Sequence, residues 1–230
     1  ASTTLQREVF SRETGYLGLT SYSKNDVVRK FKAALFAKDP LDWQRKALSW
    51  VSEVTDYRQR HWPHTKRLIL SDEQLSGITA SRHGLYKKWP IGENGGHIHQ
   101  KNRRKSGEIV QLLKQLNGHI WKHGDIKVLI ILRNQPDWLC SLYAQRSDKF
   151  DGASQKDFEQ QISRLIARRD DYIDWSIWVD KLQDALGSEN VCTLLMEDMK
   201  NTEFWKKLHN FLELENFDPA SYAVGSIAQH

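Results

Sequence analysis

Three places in this 230-residue chain combine residue types that could do chemistry, two by receiving a negatively charged ligand and one by taking a proton. In "LIILRNQPDWLCSLYAQ", Arg133 leaves an apolar run and Ser141 follows eight positions later. A guanidinium presents a planar fork of donors that matches phosphate or carboxylate oxygens. Ser141 could add a hydroxyl to the same anion if its helix face turns back toward the Arg. The spacing leaves a plainer pair of roles open, a surface ion pair for Arg133 and packing for Ser141. In "LILSDEQLSG", Ser71 and Glu73 stand where an apolar run gives way to polar residues. A carboxylate there could take a proton from an attacking hydroxyl. Taken alone, the position favours Asp72 and Glu73 as caps of the next turn. In "ASTTLQREVF", Ser2, Thr3 and Thr4 set hydroxyls beside the backbone N–H groups of a helix start, a combination that receives anions readily. Many helices begin with Ser or Thr, so this stretch is a weak signal by itself. The Walker pattern G-x-x-x-x-G-K-S/T is absent, which counts against a kinase or ATPase.

Two further clusters suggest less. Glu197 and Asp198 in "LLMEDMKN" precede a helical stretch by a few residues and are expected to cap or hold a turn. His97 and His99 in "HIHQKNRRK" lie beside Arg103 and Arg104. A metal site needs at least a third ligand, and no Cys or close His spacing supplies it, so no metal is expected. The basic run suits a solvated loop, a clamp on an anionic ligand or a nucleic-acid contact. It has no interleaved aromatics on which bases could stack, so no nucleic-acid partner is expected. The formal net charge of +5 favours anionic partners weakly and does not choose among them.

The elements that must position these groups follow from hydrophobic period. Leu5 and Val9, four apart, predict a helix over 2–10. Helices are expected over 25–36 and 41–60, and a short buried strand over 67–71. Residues 76–105 lack a clear period and read as a long surface loop, a type of segment that is more often functional than merely connecting. Ile109, Leu112, Leu113, Leu116 and Ile120 line one side of a helix over 107–123. "KVLIILR" at 127–133 is apolar without alternation, as a strand covered on both faces requires. Pro136 suits the first turn of the next helix. Helices over 155–169 and 173–186, a strand over 190–196 and a helix over 202–212 complete the order. Strand, helical crossover, strand is the grammar of a parallel sheet, and one α/β domain spanning residues 1–230 is expected. Ligands then collect at the carboxyl ends of its strands.

Composition agrees with a globular chain: 39% hydrophobic and 27% charged residues can bury a full core. No apolar run approaches the ~18 residues of a membrane span. Two cysteines without a spacing motif suggest a reducing compartment, hence a cytoplasmic location.

Together these pieces resemble the sulfotransferases that use 3′-phosphoadenosine 5′-phosphosulfate, most closely their compact bacterial branch. That family carries a loop Lys-x-Gly-Thr-Thr before its first helix, and Ala1, Ser2, Thr3 and Thr4 correspond to its last four positions. Leu5 and Gln6 continue as in many bacterial members, and "GYLG" at 15–18 is similar to their next segment. Arg133 and Ser141 match the family's Arg and Ser at the 3′-phosphate, including their separation. "LLMEDMKNTEFWKKLHNFLEL" is similar to its closing strand, acidic turn and helix. The resemblance implies a three-layer, P-loop-like α/β fold with a parallel sheet flanked by helices. It implies that Ser2, Thr3 and Thr4 cradle the 5′-phosphosulfate, that Arg133 and Ser141 hold the 3′-phosphate, and that Glu73 is the base. The reaction it implies moves a sulfuryl group from this co-substrate to a hydroxyl or amine of a small-molecule or glycan acceptor, without metal. The family's first strand and loop Lys would fall before Ala1. The usual loop Gly is Ser2 here, and no Arg-Lys-Gly stretch stands near the C-terminus. Two other readings fit the same residues: an inactive nucleotide-binding or interaction domain of this fold, and a nucleotide kinase with a degenerate loop.

Overall fold

The computed structural model describes residues 5–13, 15–18, 30, 40–65, 68–71, 114, 126–144, 147–149, 151–167 and 175–222. Strand β1 (Tyr16–Gly18) runs parallel to β2 (Ile69–Ser71), and β3 (Val128–Leu132) runs parallel to β4 (Val191–Leu195). Helix α1 (Pro40–His61) lies in the connection between the first two strands. Helices α2 (Gln135–Ala144), α3 (Gln155–Ala167) and α4 (Trp175–Leu186) lie in the connection between the second two. After β4 come α5 (Thr202–Leu212) and the single turn α6 (Pro219–Tyr222). Parallel strands need such crossovers, because a tight turn cannot return the chain to the same end of a sheet. The described residues thus mix helices with small two-stranded parallel sheets, an arrangement compatible with the α/β class.

The unbroken apolar run of β3 is explained by what covers it. Successive side chains of a strand point to opposite faces. Ile130, with Val128 and Leu132, meets Trp178, Leu182 and Leu186 of α4, and Val191 joins them from β4. Leu129 and Ile131 point the other way, with Cys192 and Leu194, toward Phe204, Trp205 and Leu208 of α5. That second cluster also takes in Leu5, Val9 and Phe10 of the opening segment and Ile69 of β2. One apolar core therefore reaches both strand pairs. Trp205 is 0% exposed at its centre. Its Nε1 donates to the Met199 carbonyl at 2.6 Å, as a buried indole N–H requires. Phe204 meets it edge-on at 5.0 Å, and Phe217 and Tyr222 lie 5.8 and 5.1 Å away.

Helix α5 ends at Glu213, whose positive φ of 52° is the left-handed cap that closes many helices. Lys127 reaches across from the start of β3 to the Phe211 carbonyl and the Glu213 carboxylate, so a cation sits where the helix dipole is negative. The elements expected from period at 41–60, 155–169, 173–186 and 202–212 are helices with ends within about two residues of those bounds, the accuracy that fraying ends allow. The opening segment departs from expectation. It winds as a π turn over Leu5–Val9 and tightens to a 3-10 turn over Phe10–Arg12 rather than forming an α-helix. Glu13 is already extended, with φ −87° and ψ 137°. The chain must leave the helix there to enter β1 three residues on. The helices expected over 25–36 and 107–123 and the loop over 76–105 lie outside the described residues, apart from Lys30 and Lys114.

Candidate functional site

At the carboxyl end of β3 the chain passes from Leu132 through Arg133 and Asn134 into α2. Asn134 caps that helix. Its Oδ1 accepts the Asp137 N–H at 3.3 Å and its carbonyl accepts the Trp138 N–H at 3.0 Å. The N–H of Asn134 itself donates to Oε1 of Glu197 at 2.8 Å. Glu197 stands just past β4, in the 3-10 turn Met196–Lys200, so its carboxylate ties the ends of two neighbouring strands together. Asp198 holds the same turn, accepting the Asn201 N–H at its carbonyl and the Asn201 amide at Oδ1. Asp198 does the turn-holding work that its place before a helix suggested, while Glu197 reaches across to the neighbouring strand end instead.

Arg133 is exposed, and Ser141 is half-buried two turns into α2. Neither side chain makes a hydrogen bond or ion pair with another described residue. The rotation of α2 that sets where Ser141 lies is fixed by its buried face, Leu139 and Tyr143. The Tyr143 hydroxyl donates to Asp157 Oδ2 at 2.8 Å and accepts the Ser154 N–H at 3.0 Å, fastening α2 to the start of α3. Burial, and then the bond to Asp157, push the Tyr143 hydroxyl above its ordinary pKa, so it stays a protonated donor. Asn134 caps the first turn of α2, and Arg133, just before it, is exposed at the carboxyl end of β3.

The carboxyl end of β2 is built differently. Ser71, its last residue, accepts a 3.0 Å hydrogen bond at Oγ from Nε2 of Gln6. Gln6 is 8% exposed, in a segment whose Leu5, Val9 and Phe10 are also buried. The opening segment is thereby attached to the end of a strand 65 positions along the chain. Its other end is attached through Glu13, which is 4% exposed. The two carboxylate oxygens of Glu13 accept the N–H groups of Glu215 and Asn216, each at 2.9 Å. The Asn216 side-chain amide returns a bond to the Arg12 carbonyl at 3.2 Å.

Of the residues singled out from sequence, Arg133 and Ser141 are described, on either side of one helix cap. Ser2, Thr3, Thr4 and Glu73 lie outside the described residues, as do His97 and His99. The described residues next to them are Leu5 and Gln6 on one side and Ser71 on the other, and the Gln6–Ser71 bond joins these two flanks. Gln6, Glu13 and Asn134 escaped the sequence reading. Asn134 carried a usable signal, an Asn three residues ahead of Asp137 at a helix start. Gln6 and Glu13 carried none, since their partners are remote in the chain.

Among the described residues, no group of three or more His, Cys, Asp or Glu side chains could hold a metal ion. No described helix is long and apolar enough to cross a membrane. Cys140 and Cys192 are free thiols, and burial raises the pKa of Cys192. No family model, curated protein or solved structure matches this chain.

Proposed function

We propose that this chain is a sulfotransferase using 3′-phosphoadenosine 5′-phosphosulfate, on a three-layer P-loop-like α/β fold. The observation that carries the reading is the exposed Arg133, at the carboxyl end of a parallel pair with helical crossovers and followed on the next helix by Ser141. Strand carboxyl ends are where such sheets gather their ligands. In this reading Ser2, Thr3 and Thr4 cradle the 5′-phosphosulfate, while Arg133 and Ser141 bind the 3′-phosphate. An acceptor hydroxyl or amine, on a small molecule or glycan, attacks sulfur in line. The bond from sulfur to the bridging phosphate oxygen breaks, adenosine 3′,5′-bisphosphate departs, and Glu73 takes the acceptor proton. The protein's contribution is position and stabilisation of spreading negative charge.

Calorimetric titration of the full chain with adenosine 3′,5′-bisphosphate, using 5′-AMP as comparator, tests this. Preferential binding of the bisphosphate is expected, with the preference lost in Arg133→Ala. Glu73→Gln should keep bisphosphate affinity and lose transfer by about 10²–10⁴-fold. Equal or absent binding in the wild type would reject the 3′-phosphate site and favour an interaction domain.

A further inference from the structure

The opening segment is held at both ends by side chains that reach far along the sequence, and the two attachments are placed unequally with respect to a ligand. Gln6 lies two residues from Thr4, and its partner Ser71 lies two residues from Glu73. Glu13 lies at the far end, joined to Glu215 and Asn216, 202 and 203 positions away. An apolar side chain at position 6 could fill the same buried space. What the amide adds is direction, because a hydrogen bond fixes the turn relative to the strand end and burial alone does not. Once buried, the amide must also keep its partner or lose the hydration it gave up.

We infer that Gln6 is a positioning residue: its hydrogen bond to Ser71 sets the opening turn against the carboxyl end of β2, and thereby the affinity of the site for the 5′-phosphate of a nucleotide. This rests on the proposed function. Ser71 shares the role as the acceptor, while Glu13 secures the segment without setting the ligand site. A site held ready before binding has less ordering to do when the ligand arrives, so loss of the bond appears as lost affinity.

The test measures dissociation constants for adenosine 3′,5′-bisphosphate and 5′-AMP, together with melting temperatures, in the full chain and its variants. Gln6→Met keeps the volume and removes the donor, and Ser71→Ala removes the acceptor. Each is expected to weaken both nucleotides by a common factor of about tenfold, leaving their ratio unchanged. Ser71→Thr keeps the hydroxyl and should retain affinity. Glu13→Gln should lower the melting temperature with both dissociation constants unchanged, the behaviour of a residue that is structural only. Arg133→Ala should instead change the ratio of the two nucleotides. Unchanged dissociation constants in Gln6→Met and Ser71→Ala would overturn the positioning role and leave the proposed function standing. If the wild type binds both nucleotides equally, the 3′-phosphate reading falls, while a common loss in the Gln6 and Ser71 variants still supports the positioning role. Binding of neither nucleotide by the wild type would overturn both.

Discussion

Strands β3 and β4 pair along five residues each and are covered by α4 on one face and α5 on the other, whereas β1 and β2 pair along only three. Both pairs are parallel, and both present a candidate residue at a carboxyl end. Around the longer pair, apolar burial does most of the stabilising, and the Glu197–Asn134 bond at its end is exposed. Around the shorter pair the opening segment contributes much of the packing, and it is held by the part-buried bonds of Gln6 and Glu13. The same chemistry, a carboxylate accepting a backbone N–H, is used in both regions. Its weight differs because a buried group deprived of its partner has little water to replace it.

The largest effect should come from the core that the two regions share. Trp205→Ala removes the centre of the aromatic cluster and orphans the Met199 carbonyl, and a loss of about 3–5 kcal/mol in urea unfolding is expected. A loss confined to one region, read as selective amide exchange in either strand pair, would break the claim of a common core. Glu13→Ala comes next, at about 2 kcal/mol, with faster amide exchange at Glu215 and Asn216. Glu197→Ala should cost less than about 1 kcal/mol, because the Asn134 N–H it abandons can turn to water. Equal losses in these two variants would remove the contrast between the regions, so measuring them side by side sharpens it most.

The smallest effect lies on α1. Hydrogen bonds from Lys46 and then Arg45 hold the Asp42 carboxyl below its ordinary pKa. A lowered folded value means that its stabilising contribution is complete above the ordinary aspartate range and is lost as pH falls through the folded value. The difference in melting temperature between wild type and Asp42→Asn should therefore be slight at neutral pH and close on acidification. A difference that grew as the pH fell would contradict this. Exposed pairs of this kind contribute little in general.

How much could be read in advance follows the same division. The run at 127–133 announced β3 because a strand covered on both faces is apolar at every position, and α5 was legible at 202–212 because its apolar residues recur at helical spacing. β1 has three residues, too few to show a period, and the opening segment carried helical spacing but winds as a π turn. Arg133 and Ser141 were found from one strand end and one helix, both local patterns. Gln6 was passed over because nothing near position 6 announces Ser71.

Helices α1 to α5, the two longer strands and the residue types at their ends were legible in the amino-acid sequence, since hydrophobic period and helix caps are properties of neighbouring residues. Only the tertiary structure decided that Gln6 meets Ser71, that Glu13 closes on Glu215 and Asn216, and that Glu197 joins the ends of β3 and β4. Each of those bonds exists because packing of the shared core brings groups far apart in the chain within about 3 Å of one another, and that proximity has no local signature in the chain.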